Sequence, residues 1–273
     1  MQLGISTYTY GWAVGTPGNR PDKALDEQTL LDRAKAFGVS LVQFGDNLPL
    51  HELPAERLHE LRQRAEKEDI TIEIGARGLT DSHLLCYIDL TRQLGSRLLR
   101  FVIDAPGYEP TIADVVTLIR GAVPMLERAN ITLGIENHDR LLAHEFANIV
   151  ERVGSPNVGI CLDTVNSMGT GERLAEVVQT LAPYTVNLHM KDFGIRRLPH
   201  LMGFQIDGRP AGQGRLNIPW LVDQVRSAGH CQTAVLEQWV VPEADLTDTI
   251  AKEAAWATES MAYLQQAGLF CEQ

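Results

Sequence analysis

The stretch Thr132–Asp163, TLGIENHDRLLAHEFANIVERVGSPNVGICLD, decides the fold. It opens on a short β-rich run, Thr132–Glu136, and passes through a segment with apolar residues at helical spacing that closes at Gly154. It ends on a second β-rich run, Val158–Asp163. This is one strand–helix–strand unit, and both strands end on a carboxylate. Working outward, six more β-rich runs stand at Gln2–Thr7, Leu41–Phe44, Thr71–Ala76, Leu98–Ile103, Thr185–Met190 and Thr233–Gln238. The segments between them carry apolar residues at helical spacing, such as Leu30, Leu31, Ala34 and Phe37, or Leu174, Val177, Val178 and Leu181. Gly38, Gly95, Gly154 and Gly229 stand where helix C-caps are expected. Asp26, Asp81 and Asn217 stand where N-caps are expected, with Pro219 just behind the last. Eight strand–helix units predict an α/β chain folded as a single (β/α)8 TIM barrel over residues 1–273. An open doubly wound sheet also alternates strand and helix, but no G-x-G-x-x-G follows the first strand here.

The strand spacing carries a second message. Several intervals are close to 27 residues, whereas His189 and Glu237, on the seventh and eighth strands, are 48 positions apart. The surplus falls in Asp192–Leu216, which contains GFQIDGRPAGQG. An extended loop after the seventh strand is therefore expected over the C-terminal mouth, where barrels of this type place their active sites.

Composition narrows the functions. The chain has 273 residues, 44% of them apolar, 22% charged and 6% aromatic. Its 35 acidic residues against 24 basic ones give a formal charge of −11. Such a surface repels phosphate backbones and anionic lipid, which argues against nucleic-acid or membrane partners. Mean hydropathy is −0.10, with no apolar run near the ~20 residues that span a bilayer. The N-terminus, MQLGISTYTYG, lacks the basic-then-apolar pattern of a signal peptide. Cys86, Cys161, Cys231 and Cys271 are scattered without a CxxC pair, and read as thiols of a reducing cytoplasm.

Side chains alternate across a strand, so each strand can be sorted into faces. In the fifth strand, Ile135 faces the helices while Gly134 and Glu136 face the barrel interior, with His138 following. In the sixth, Ile160 and Leu162 face out, leaving Gly159, Cys161 and Asp163 inside. In the seventh, Val186, Leu188 and Met190 face out, leaving Asn187, His189 and Lys191 inside. In the eighth, Ala234 and Leu236 face out, leaving Val235 and Glu237 inside. Four consecutive strands thus end in polar groups aimed at one mouth: Glu136, Asp163, His189 and Glu237. Three converging carboxylates repel one another unless a cation sits among them. Three oxygen donors and one imidazole suit a hard divalent ion, Mn²⁺ first, with Mg²⁺, Co²⁺ or Zn²⁺ as alternatives.

The segments GIENHDR, ICLDTVNS, NLHMKDF and VLEQW, in that order, resemble the xylose-isomerase-like TIM barrels, the sugar phosphate isomerase/epimerase superfamily. The resemblance covers essentially the whole chain. It implies a divalent metal held by Glu136, Asp163, His189 and Glu237. It also implies proton abstraction beside a carbonyl, the chemistry of the ketose epimerases, hydroxypyruvate isomerase and inosose dehydratase. In the epimerases the first and last metal-binding glutamates form the acid/base pair, which here are Glu136 and Glu237. The nuclease branch, endonuclease IV, holds three zinc ions with extra histidines that this chain lacks. Two features depart from the epimerase branch. Asn166 stands where the epimerases carry a histidine, and Arg196 follows His189 at a longer spacing than their substrate-binding arginine.

Other residues extend this expectation. His138, on the face of Glu136, reads either as a general acid/base or as a loop residue at the strand end. Lys191 points inward beside His189 and suits a carboxylate or phosphate. Arg196, Arg197, His200 and Arg209 make the long loop basic, and with Asn166 and Tyr8 they complete the expected substrate contacts. Tyr8, Tyr10 and Trp12 read either as a wall for a sugar face or as packing. The loop reads as a substrate lid or, alternatively, as a subunit contact of a homo-oligomer. Glu73 and Arg100, on adjacent strands, are expected to pair below the mouth as a structural filler. The function this predicts is a cytoplasmic, metal-dependent sugar isomerase or epimerase acting through an enediolate. A lyase acting on a keto acid, such as a decarboxylase of a 3-oxo sugar acid or a 3-keto-glycoside lyase, is the second reading. A sugar-binding module without catalysis is the third, and the intact four-residue ladder argues against it.

Overall fold

Local chemistry sets the ends of the elements. The computed structural model describes residues 1–270, so Cys271 lies outside them. Asp26 accepts the backbone N–H of Thr29 and Asn217 that of Trp220, each capping a helix as expected. The cap expected at Asp81 belongs instead to Thr80, whose hydroxyl accepts from the His83 N–H. Asp81 is the first helical residue there, where its charge meets the positive end of the helix dipole. Gly38, Gly154 and Gly229 end their helices in the left-handed conformation.

Eight parallel strands close on themselves: β1 (Gln2–Ser6), β2 (Leu41–Phe44), β3 (Thr71–Arg77), β4 (Leu98–Val102), β5 (Thr132–Glu136), β6 (Val158–Asp163), β7 (Thr185–Met190) and β10 (Thr233–Leu236). Every expected strand is present, shifted by at most two residues at an end. The helices are α1 (Gly11–Val14), α2 (Glu27–Phe37), α3 (Ala55–Lys67), α4 (Asp81–Gln93), α5 (Ile112–Ala129), α6 (Ala143–Val153), α7 (Leu174–Leu181), α8 (Ile218–Ala228) and α9 (Leu246–Gln266). They pack on the outward residues of the strands, and Ile135, Ile160, Leu162, Leu188 and Ala234 are fully buried beneath them. Among the described residues no helix is long and apolar enough to cross a membrane.

Strict alternation puts Val186 on the outer face of β7, and there the structure differs. The register between β6 and β7 slips after Ile160, so that Ile160 pairs with Thr185 and Cys161 with Asn187. This bulge turns Val186 inward, where a Cβ on Gly159 would lie only 2.5 Å from its Cγ1. Beyond the bulge, alternation resumes and returns Asn187 and His189 to the interior.

The long segment after β7 is not an irregular loop. It folds as an antiparallel hairpin of β8 (Asp192–Arg197) and β9 (Phe204–Arg209). Asp192 anchors its base, accepting the N–H groups of Phe193, Gly212, Gly214 and Leu216 at 2.7–3.0 Å. Gly208 is required there, because a Cβ would meet the Trp239 ring at 1.7 Å. Ile195, Phe204 and Ile206 lie on one face of the hairpin and, with Leu201 and Met202 at its tip, are exposed.

Candidate active site

The C-terminal ends of β5, β6, β7 and β10 bring Glu136, Asp163, His189 and Glu237 together, all but fully buried. The ladder explains this: Asp163 pairs directly with His189, and Val235 with His189 on the other side. Nδ1 of His189 lies 3.4 Å from Glu136 Oε2 and 3.2 Å from Glu237 Oε1. Among the described residues neither ring nitrogen has a hydrogen-bond partner of good geometry, although both are buried. Donor atoms of Asp163, His189 and Glu237 all fall within 4.8 Å of one another, as do those of Glu136, Cys161 and His189. A buried imidazole without a hydrogen bond among three carboxylates fits a divalent cation. Around it, Asn137 holds the backbone of Asp163 from both sides, and Ser6 donates to Glu237 Oε1 at 3.1 Å. Such outer contacts aim ligands.

Two cations enter the cluster. Lys191 Nζ stands 2.8 Å from Asp163 Oδ2 and 2.9 Å from Glu237 Oε2. Burial alone favours its neutral form, but Asp163, Glu237 and Glu136 outweigh this and hold the ammonium firmly charged. Arg100 Nε bonds Glu136 Oε2, and its Nη1 donates to Asp46 Oδ1 at 2.7 Å. Asn166 donates to the other oxygen of Glu136 at 2.8 Å. Burial pushes the Glu136 carboxyl up, yet Arg100, His189 and Lys191 together bring it down to about 2. Both of its oxygens are therefore occupied by donors. Asp46 also accepts from Arg77 Nε at 3.0 Å, and the two guanidiniums overcome burial to depress it.

The remaining expected residues divide. Tyr8 reaches the cluster, its ring 5.9 Å from both the Arg100 guanidinium and Lys191 Nζ. Asn166 binds Glu136 and, through its N–H, Asp163 Oδ1. His138 stands at the rim, with Nε2 3.0 Å from Arg77 Nη2 and Nδ1 2.9 Å from Asp139. The hairpin residues are engaged with one another instead. Arg196 pairs with Asp207, Arg197 donates to Leu201 O, Arg209 to Gly208 O, and His200 accepts from Met202 N. Tyr10 belongs to the core, and Trp12 donates to Val240 O.

The expected Glu73–Arg100 pair does not form. Register places Gly75, not Glu73, beside Arg100, and the arginine climbs past that glycine to the mouth. A Cβ on Gly75 would sit 3.0 Å from Arg100 Cδ. Glu73 stays one layer lower, where Gln43 and Asn187 donate to it at 2.9 and 3.2 Å. Burial raises its carboxyl to about 7. Arg77, Arg100 and Asp46 were not singled out as site residues by the sequence. Alternation marks Arg77 and Arg100 as inward, and their height in the barrel was the missing information. The surface clefts of about 480 and 440 Å³ lie at the opposite end, lined by residues such as Gly38, Val39, Asp69 and Ile70. In this fold that end serves stability.

Residues 31–267 match the family model for the xylose isomerase-like TIM barrel. The chain is 31% identical over 264 residues to 3-oxo-isoapionate decarboxylase of Pectobacterium atrosepticum, covering 97% of this chain and 95% of that protein. Among solved structures, D-psicose 3-epimerase with D-tagatose from Clostridium cellulolyticum H10 superimposes with a TM-score of 0.73 at 18% identity, over 100% of both chains. A xylose isomerase-like TIM barrel protein from Mycobacterium smegmatis in complex with magnesium gives 0.68 at 15%, over 96% of this chain and 97% of that one.

Proposed function

Because the chain belongs to the xylose isomerase-like TIM barrel family, we propose that it is a metal-dependent lyase that decarboxylates a 3-oxo sugar acid. The observation that carries this reading is the engagement of Glu136. An epimerase or isomerase draws on a pair of bases to move a C–H proton, and Arg100 and Asn166 already bind both oxygens of one member. Lone pairs shared in this way still suit coordination but make a weak base. Decarboxylation needs no base for C–H abstraction. The C–CO₂ bond breaks, CO₂ leaves, and the electron pair spreads onto the neighbouring carbonyl as an enolate. The identity with a 3-oxo-isoapionate decarboxylase, spread over nearly the full length of both chains, supports the same class of reaction.

Glu136, Asp163, His189 and Glu237 would hold a divalent ion, Mn²⁺ by preference, which would supply Lewis-acid stabilisation of the developing negative charge. The chain itself supplies the rest. Lys191 stands between Asp163 and Glu237 as an ammonium with three protons, and one of these is the proton that the enolate carbon would take up. Tyr8 packs against the two cations and limits water access.

The test is to incubate the Mn²⁺-loaded protein in D₂O with a 3-oxo sugar acid and, separately, with ketoses. Release of CO₂ with one deuterium placed in the product supports the lyase. Deuterium washed into a ketose without loss of CO₂ supports the isomerase or epimerase predicted by the sequence. Neither outcome leaves a sugar-binding module.

A further inference from the structure

Three cations stand at the mouth, and they differ in what they have left to give. Arg100 is 3% exposed, with Nε and Nη1 bound to Glu136 and Asp46. Lys191 is 14% exposed, its ammonium set between two carboxylates. Arg77, at the end of β3, is 30% exposed, and its Nη1 makes no hydrogen bond among the described residues. Its remaining contacts fix its plane. Nε donates to Asp46, and Nη2 lies 3.0 Å from His138 Nε2. A guanidinium only donates, so His138 Nε2 accepts and its proton sits on Nδ1, toward Asp139 Oδ2 at 2.9 Å. This arrangement leaves both N–H groups of Nη1 and the second N–H of Nη2 without a partner among the described residues, and Nη1 with Nη2 makes the planar edge that matches a carboxylate.

Charge agrees with geometry. Asp46, Glu136, Asp163 and Glu237 carry four negative charges against three positive ones on Arg77, Arg100 and Lys191. A divalent ion turns this excess of one negative charge into an excess of one positive charge. The loaded mouth then calls for a monoanion. β3 and β7 are also separated by four steps around the eight-stranded barrel, so Arg77 faces the ligand cluster from the opposite wall.

We infer that Arg77 is the specificity-determining residue of this site: its free edge receives the carboxylate of a sugar acid, and His138 is the positioning residue that holds it there. The inference rests on reading the mouth as a sugar-acid site, but its test does not depend on turnover. The Mn²⁺-loaded wild type and Arg77→Met are titrated calorimetrically with D-erythronate, a four-carbon sugar acid, and with erythritol, its neutral counterpart. The wild type should prefer the acid, and Arg77→Met should lose roughly 10- to 100-fold of that preference at unchanged manganese content. Arg77→Lys, which keeps the charge without the planar fork, should fall between them. A purely structural role for Arg77 would weaken both ligands alike, and that result overturns the inference, as does a wild type with no preference for the acid. Should Arg77→Met fail to fold, His138→Ala carries the test, with a smaller loss of preference expected and an unchanged preference overturning it. Absence of CO₂ release from a wild type that still prefers the acid would instead count against the decarboxylase alone.

Discussion

The two sides of the barrel mouth are built on different rules. On one side, β5, β6, β7 and β10 each deliver a single ligand-type side chain from the end of a strand: Glu136, Asp163, His189 and Glu237. On the other, the ends of β2, β3 and β4 deliver a chain of ion pairs, Arg77–Asp46–Arg100, that reaches across to Glu136, with His138, just past β5, hydrogen-bonded to Arg77. The ligand side is set by position along the ladder, because short side chains act where the backbone puts them. The basic side is set by reach. Arg100 begins below the rim and arrives only because Gly75 leaves room. A cluster of carboxylates needs cations, and the proposed function gives the molecule two sources: a divalent ion from solution and its own arginines and lysine.

The largest effect separates those sources. Removing metal with a chelator is expected to abolish turnover, with Mn²⁺ or Co²⁺ restoring it better than Ca²⁺, which prefers more oxygen ligands than the cluster offers. The fold should survive, because Lys191 and Arg100 still neutralise most of the buried charge. Full activity of protein shown by elemental analysis to be metal-free would mean that the built-in cations suffice alone.

Next come the proposed ligands themselves. Glu136→Gln and Glu237→Gln should each lower kcat by roughly 100-fold or more, since even outer-shell partners of a metal contribute about 10- to 100-fold. Their circular dichroism should stay that of the wild type, the mouth being where such barrels place function. Retention of a tenth of the activity in both variants would remove them from the ligand set.

The basic side should show up in stability more than the ligand side does. Arg100→Met strips two buried or part-buried carboxylates, Glu136 and Asp46, of their common partner. Leaving a buried charge uncompensated costs on the order of 3–5 kcal/mol. Urea unfolding measures this, and the double variant Arg100→Met/Glu136→Gln should recover part of the loss. A single variant as stable as the wild type would show that solvent already screens the chain of ion pairs.

This comparison also marks what was legible in the sequence. Alternation and eight β-rich runs sufficed for the barrel, because closed parallel sheets tolerate little variation in pattern. The convergence of Glu136, Asp163, His189 and Glu237 was legible for the same reason, each being the last inward position of its strand. Three things were not. Alternation reports the face of a residue but not its height, and so it paired Arg100 with Glu73 instead of Asp46 and Glu136. A bulge costs one residue of phase, and so Val186 was placed on the wrong face. The spacing also predicts an extended loop at Asp192–Leu216, whereas Asp192–Arg197 and Phe204–Arg209 pair as a hairpin whose Gly208 leaves room for Trp239.

The smallest effect concerns the layer beneath both sides. Among the described residues no cation stands beside Glu73; Gln43 and Asn187 donate to it, and burial lifts its carboxyl from the ordinary 4.5 to about 7. The folded barrel therefore keeps a proton that the unfolded chain releases above about pH 4.5. Stability from this group is complete below that value, declines as pH rises, and is lost once pH passes about 7. The shift from 4.5 to about 7 corresponds to roughly 3 kcal/mol at most. Glutamine has the same shape, still accepts from Gln43 and Asn187, and has no proton to lose. Glu73→Gln should thus unfold at nearly the wild-type urea concentration at pH 5 and be the more stable protein at pH 8, by up to about 3 kcal/mol. Arg100→Met provides the contrast, since it removes the partner of Glu136 and Asp46, carboxylates that Arg100 holds well below the ordinary range in the wild type. A Glu73→Gln difference of the same size at both pH values would mean that Glu73 shares the electrostatics of the mouth, and the two layers would then have to be treated as one.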